Sequence, residues 1–249
     1  MITERFDTNN YEFNKNSPLG VYIIHGFSNT TYEVRELAAF LGKHGFHTIA
    51  NNLPGHGTTP EECNRVQYTD WINHVKQDIA ELSSKSEEIY VIGCSMGAVL
   101  SLYMASIFPL NGLVVAGTVL KFKNPFEVNI LVPLLGRFVK ISKKKKANKT
   151  KSKFYGYQHY PLLALLEFRK LIKKVMKKIN TIICPTLIIH SKNDGMSIKE
   201  NVSIIKQSIQ SKDKNILIVN KAHHNLFDEN PDQKLIFNEI LSFLKKIKH

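Results

Sequence analysis

Six short, continuously apolar runs rich in β-branched residues recur along the chain: residues 20–25 (GVYIIH), 46–50 (FHTIA), 88–94 (EIYVIGC), 112–119 (GLVVAGTV), 182–190 (IICPTLIIH) and 215–219 (NILIV). Longer stretches of helical spacing lie between and after them, at 32–44, 69–84, 95–108, 198–208 and 231–246. Unbroken apolar character, rather than strict alternation, is expected of strands covered by helices on both faces. The alternation predicts an α/β fold with a mostly parallel central sheet flanked by helices. In the last helical stretch, Leu235, Ile236, Ile240, Leu241, Phe243 and Leu244 fall at helical spacing. Asp232 near its start and Lys245 and Lys246 at its end suit the helix dipole. The pattern breaks once, between about Leu120 and Lys178. The expectation is therefore a core built from residues 1–119 and 179–249, with 120–178 inserted between two core strands. No internal repeat is visible.

Charge is the other conspicuous property. The chain has 249 residues, 34 Lys+Arg and 21 Asp+Glu, a formal +13. A balance of that size suggests nucleic acid or an anionic membrane as partner. Its location argues against the first. Residues 137–178 hold 15 basic side chains and one acid, Glu167, which leaves 19 basic and 20 acidic side chains elsewhere. A near-neutral body with one basic insertion points away from nucleic acid. At 43% hydrophobic and 22% charged, the chain is neither collagen-like nor disordered nor a multi-span membrane protein. No apolar run approaches the ~18–20 residues that span a bilayer. The polar start, MITERFDTNNYEFN, does not read as a signal peptide. Three cysteines, Cys63, Cys94 and Cys184, cannot all pair and show no metal-ligand spacing, so a cytoplasmic setting without structural zinc is expected.

Chemistry enters at Gly93-Cys94-Ser95-Met96-Gly97. This is G-x-S-x-G with an expected strand before it and an expected helix after it. The motif demands a turn sharp enough to hold Ser95 in a strained conformation with its hydroxyl above the strand end; the flanking glycines leave room for close strand–helix packing. A serine hydroxyl needs a histidine base, and the base an orienting carboxylate. Asp194 follows the run PTLIIH at a strand's carboxyl end, where catalytic groups gather in open α/β sheets. After the next strand comes Asn220-Lys221-Ala222-His223-His224, which offers two candidate bases, His223 and His224. His25 is a weaker rival, because it precedes the serine and breaks the order Ser…Asp…His. An oxyanion hole is also required. Its donors are expected to be the backbone N–H of Met96 and that of Phe27, in the loop His25-Gly26-Phe27-Ser28, with His25 as a structural residue bonding neighbouring loops.

Together these residues resemble the α/β-hydrolase superfamily, and within it the small bacterial carboxylesterases and monoacylglycerol lipases. The resemblance rests on HGFSNT (25–30), NLPGHGTTPE (52–61), TDWINHVKQDI (69–79), GCSMGA (93–98), PTLIIHSKND (185–194) and AHHNLFDE (222–229). Ala98 departs from it, standing where a second glycine is usual. The resemblance implies an α/β-hydrolase fold with a catalytic triad of Ser95, Asp194 and His224, His223 occupying the variable position before the base. It also implies that residues 120–178 form a small basic cap over the acyl pocket, and that neither metal nor organic cofactor is needed. The reaction expected is hydrolysis of short- to medium-chain esters or monoacylglycerols through an acyl-enzyme. Thioester hydrolysis, C–C hydrolysis and perhydrolysis use the same triad; a non-catalytic basic binding protein is the reading from another class.

The insertion itself has two readings. The run at 143–146, with Arg137, Lys140, Lys149, Lys151 and Lys153, is either a solvated loop or a patch for peripheral contact with anionic lipid. Apolar neighbours (Phe126, Ile130, Leu131, Val132, Leu134, Leu135, Phe138) would enter the interface or line an acyl tunnel. Residues 162–178 read as an amphipathic helix with a basic face, lying on a membrane or packed on the body beneath the cap.

Overall fold

The structure, a computed structural model, describes residues 8–124, 140–143 and 156–248. The Lys-rich run beyond residue 143 and the apolar residues at 126–138 lie outside this set. Nine strands are described: β1 (Tyr11–Phe13), β2 (Leu19–Ile24), β3 (His47–Ala50), β4 (Glu88–Cys94), β5 (Gly112–Ala116), β6 (Ile141–Lys143), β7 (His159–Pro161), β8 (Thr186–Ser191) and β9 (Lys214–Val219). The helices are α1 (Arg35–Lys43), α2 (Pro60–Cys63), α3 (Tyr68–Ser83), α4 (Met96–Ala105), α5 (Leu162–Met176), α6 (Glu200–Ser208) and α7 (Gln233–Ile247). Seven strands form one sheet in the order β1-β3-β2-β4-β5-β8-β9. It is parallel throughout except for β1, which runs antiparallel to β3 at one edge. After the edge strand β1, the chain crosses to the middle of the sheet at β2, goes outward to β3, which lies between β2 and β1, then returns to build the other side from β4. The carboxyl ends of β2 and β4, paired through Ile24 and Gly93, therefore flank the point where a doubly wound sheet opens a crevice.

Neighbouring residues of each strand bury into different layers. Val21 and Ile23 join α1 and α7 in one cluster, while Tyr22 and Ile24 join α3, α4, α5 and α6 in the other. This two-sided burial is why the strands read as unbroken apolar runs. α4 is enclosed by sheet and helices, and every residue from Met96 to Ala105 is buried, so its sequence is apolar all round. α5 turns Leu165, Phe168, Leu171, Ile172 and Val175 into the same cluster, against α3 and α4. Its apolar face is consumed by the core, and Lys170, Lys173, Lys174 and Lys177 face solvent. Ahead of it, β6 and β7 form an antiparallel ribbon.

Several boundaries differ from expectation. β5 stops at Ala116 rather than 119, because Gly117 turns the chain at φ +54. β8 starts at Thr186 rather than 182, after a 3-10 turn at Ile179–Thr181 and Pro185. Asp232, placed near the start of the last helix for its dipole, does not cap α7 with its side chain; its carboxylate turns back onto the preceding loop. Among the described residues no helix is long and apolar enough to cross a membrane.

Candidate active site

The elbow between β4 and α4 holds Ser95 at φ 53, ψ −116, a region that a side chain enters only under compulsion. Packing supplies that compulsion. A Cβ on Gly93 would lie 2.3 Å from the Gly97 carbonyl oxygen, and one on Gly97 would lie 2.2 Å from that of Ile24. Only glycines let β2, β4 and α4 approach this closely. The Ser95 N–H donates to the Ala116 carbonyl at 2.9 Å, which ties the elbow to β5. Cys94 points the other way, into the core, with its thiol 3.7 Å from the Ile24 carbonyl oxygen. Burial, reinforced by Glu33, pushes that thiol well above its ordinary pKa, so it stays protonated and unreactive.

Three side chains meet above the carboxyl edge of the sheet. His224 Nε2 lies 2.9 Å from Ser95 Oγ. Its Nδ1 lies 2.9 and 2.8 Å from the two Asp194 carboxylate oxygens. Asp194 Oδ1 also accepts the Met196 and Ser197 N–H groups at 2.7 and 2.8 Å. Burial raises the Asp194 pKa, but the hydrogen bond and charge of His224 and the two N–H donors outweigh it, leaving the carboxyl below its usual value. Burial lowers the His224 pKa; Asp194, with a smaller contribution from Glu33, more than reverses this and holds the imidazole above its usual value. The Asp194–His224 contact fixes the tautomer with a proton on Nδ1, which leaves Nε2 to accept the serine proton.

The histidine loop is held by residues with no obvious signature in the sequence. Asp232 Oδ2 accepts the Lys221 and Ala222 N–H groups at 2.7 and 2.8 Å, and Ser191 Oγ donates to the Ala222 carbonyl. Asn230 Nδ2 donates to the Asp228 carbonyl at 2.7 Å. Gly117 lets the end of β5 pass beneath: a Cβ there would lie 3.5 Å from Asp194 Oδ2, on a backbone at φ +54. The other expected bases are placed elsewhere. His223 is exposed, with Nδ1 3.4 Å from the Asn193 carbonyl oxygen. His25 is fully buried, its Nε2 accepting the Leu53 N–H at 3.0 Å and its Nδ1 lying 2.9 Å from the Gly26 carbonyl oxygen. Burial, then His56, lowers its pKa to about 3. It is a neutral brace between two loops.

Phe27 follows β2 and Met96 opens α4, side by side at the crevice. No protein acceptor among the described residues takes either backbone N–H, so both are available to an oxyanion. The Phe27 ring packs on Phe168 and Trp71 at centroid distances of 5.9 and 6.5 Å, and Phe122 continues the cluster 5.7 Å from Phe168. An apolar wall thus begins at Phe27. No group of His, Cys, Asp and Glu among the described residues is arranged to hold a metal ion. The arrangement can activate a hydroxyl, stabilise an imidazolium and bind an oxyanion, which is the equipment of acyl transfer.

Comparison with known proteins places the chain in a family. The family described as serine aminopeptidase, S33, matches residues 19–231. The chain is 29% identical to a thermostable monoacylglycerol lipase of Bacillus sp. (strain H-257), covering 93% of this chain and 92% of the relative. It is 25% identical to a carboxylesterase of Bacillus subtilis (strain 168), covering 94% and 95% respectively. Among solved structures, one from work on the metagenome-derived lipolytic enzymes LipS and LipT superposes with TM-score 0.89 at 23% identity, over 96% of this chain and 98% of that one. The monoacylglycerol lipase of Paleococcus ferrophilus superposes with TM-score 0.80 at 17% identity, over 97% and 100%.

Proposed function

The chain belongs to the serine aminopeptidase S33 family, within the α/β-hydrolase superfamily, and from that premise we propose that it is a serine hydrolase of carboxylic esters with short to medium acyl chains, a carboxylesterase or monoacylglycerol lipase. One observation carries the reading: Asp194, His224 and Ser95 form a continuous hydrogen-bonded chain, with oxygen and nitrogen atoms 2.8–2.9 Å apart, at the carboxyl edge of the sheet. The full-length relatives with esterase and lipase names support the substrate class.

In this mechanism Ser95 Oγ attacks the ester carbonyl carbon while its proton passes to His224 Nε2. Asp194 stabilises the imidazolium and does not itself take the proton. The tetrahedral oxyanion accepts hydrogen bonds from the Phe27 and Met96 N–H groups, each worth about 2.7–4 kcal/mol to the transition state. His224 returns the proton to the departing alcohol, leaving an acyl-serine; a water then repeats the sequence and releases the acid. The acyl chain lies against the Phe27–Phe168–Phe122 cluster. No metal or organic cofactor enters any step.

We extend the reading to a setting. Cys63, Cys94 and Cys184 are buried thiols, as suits a reducing cytoplasm. The basic insertion, with Lys140 and the outer face of α5 exposed beside it, would favour an anionic lipid surface by about 1 kcal/mol per lysine near it. Stronger binding to anionic than to neutral liposomes is the expected result; equal binding would remove this extension.

The deciding experiment is turnover of p-nitrophenyl esters and monoacylglycerols of graded chain length by wild type and Ser95→Ala. Wild type should hydrolyse short and medium chains while the variant retains only background. Ester turnover undiminished in Ser95→Ala would end the proposal.

A further inference from the structure

One buried carboxyl group near the site has no part in the mechanism above. Glu33, at the end of the 3-10 turn Thr31–Glu33 that precedes α1, is only 4% exposed. Its Oε2 accepts the Gly26 N–H at 2.7 Å. Gly26 is the residue immediately before Phe27, and it is wedged between two parts of the site. A Cβ placed on Gly26 would be 3.2 Å from Glu33 Oε2 and 3.2 Å from Ser95 Cβ. Glu33 therefore stands directly behind the segment on which Phe27 is mounted. The other end of that segment is held as well. Ser28, in the left-handed region at φ 58, accepts the Tyr157 N–H at 2.9 Å through its carbonyl. The Phe27 N–H is thus carried on three residues clamped at both ends.

The electrostatics of Glu33 are unusual for a buried carboxylate. Among the described residues no Lys or Arg pairs with it; the neighbouring Arg35 instead lies 3.1 Å over the Tyr32 ring and contacts Glu36. The groups that face it are the Gly26 N–H and the Cys94 thiol, with His224 and Asp228 at longer range. Burial raises its pKa, and the Gly26 N–H, Cys94 and His224 offset only part of the rise, to which Asp228 adds, so the carboxyl sits above its usual value. The one member of this set that becomes positive is His224. It becomes so only after taking the serine proton, so an interaction with Glu33 strengthens as the reaction advances, which is the requirement for accelerating it.

We propose that Glu33 is a positioning residue for the hydrolytic reaction: its carboxylate fixes the Gly26–Phe27 segment that carries the oxyanion donor, and it supplies a second counter-charge for the His224 imidazolium. The inference rests on the functional reading above, in which Phe27 N–H binds the oxyanion and His224 is the base. Glu33 acts through these two groups and does not touch the substrate.

The test compares wild type, Glu33→Gln and Ser95→Ala on p-nitrophenyl butyrate, with kcat, KM, thermal midpoint and the pH profile of kcat/KM. Gln keeps the shape and an acceptor oxygen for Gly26 but removes the charge. With the fold intact, kcat should fall about tenfold or more while KM changes less than about twofold. The acidic limb of kcat/KM should move to lower pH, because His224 loses a neighbour that favours its protonated form. Glu33→Leu, which removes the acceptor too, should lose about 10²-fold in kcat, as when an oxyanion donor is displaced. Unchanged kcat and an unmoved limb in Glu33→Gln would overturn the proposal. So would a fall in kcat explained by a lowered thermal midpoint with the limb unmoved, which marks a residue serving stability alone. If Ser95→Ala retained full turnover, the functional reading would fail and this inference with it; an inactive Ser95→Ala beside a wild-type-like Glu33→Gln overturns only the latter.

Discussion

Replacing Gly93 with alanine tests whether the elbow is set by backbone contact. The new methyl would lie 2.3 Å from the Gly97 carbonyl oxygen, 2.4 Å from its carbonyl carbon and 2.4 Å from Ser101 Oγ. Close C···O contacts fall near 3.3 Å, so roughly 1 Å of separation must be recovered. Two of the three atoms are backbone, and Ser101 Oγ is itself bonded to the Gly97 carbonyl at 2.9 Å. No rotamer change relieves the clash; β4 and α4 must part. Overpacking of this kind costs about 3 kcal/mol, which in a chain of this size lowers Tm by roughly 6–12 °C. Ser95 lies between the parting elements, and a displacement of about 1 Å at a reacting group costs about 10²-fold in rate. The control is Gly195→Ala. It adjoins Asp194, yet its Cβ would meet nothing within 4 Å, so stability should change by less than about 0.5 kcal/mol. Thermal unfolding and kcat for p-nitrophenyl butyrate, measured well below both midpoints, separate the two. A Gly93→Ala protein with wild-type Tm and kcat, or a Gly195→Ala protein equally damaged, would refute the reasoning.

Three further outcomes are expected. Asp194→Asn should lower kcat by about 10⁴-fold. Because burial lowers the His224 pKa and Asp194 is what chiefly reverses it, the acidic limb of kcat/KM should move to lower pH in that variant; a limb that stays or rises contradicts the assignment. His224→Ala should abolish turnover while His223→Ala, altering an exposed ring, stays within about threefold of wild type; the reverse pattern in steady-state assays would exchange their roles. Tyr157→Phe removes a buried hydroxyl that donates to the Gly55 carbonyl and accepts the Thr58 N–H at 3.3 Å. The loss should cost about 1–3 kcal/mol in urea unfolding, and an unchanged midpoint would show that water replaces the hydroxyl at no cost.

The parts legible in the sequence are those whose causes are local. Runs such as GVYIIH and EIYVIGC announce strands because both faces are buried, and the two glycines around Ser95 announce the elbow because only they fit its close approaches. The order of Ser95, Asp194 and His224 along the chain follows from the winding of the sheet. What escaped depends on distant partners. β1, three residues reading YEF, is an edge strand defined by β3, more than thirty residues away. Glu33 and Asp232 look like ordinary helix-start acids. One instead bonds Gly26, the other Lys221 and Ala222, and no local pattern distinguishes a carboxylate turned toward the helix from one turned away. The apolar face of α5 was visible, but whether it met membrane or protein depended on α3 and α4.

The geometry of the triad has a temporal side. Ser95 and His224 touch across 129 residues of sequence, and Asp194 and His224 across 30. Contacts of such long range form late, and during synthesis the amino-terminal portions are made first. Until β9 and α7 have docked, Ser95 lacks its partner His224 and remains an ordinary hydroxyl at the end of a half-built sheet. On the proposed function, a nascent or partly folded chain therefore carries Ser95 in a dormant form, harmless to surrounding esters. Reactivity is the last property the chain acquires, so labelling by a covalent serine probe would count finished molecules rather than chains.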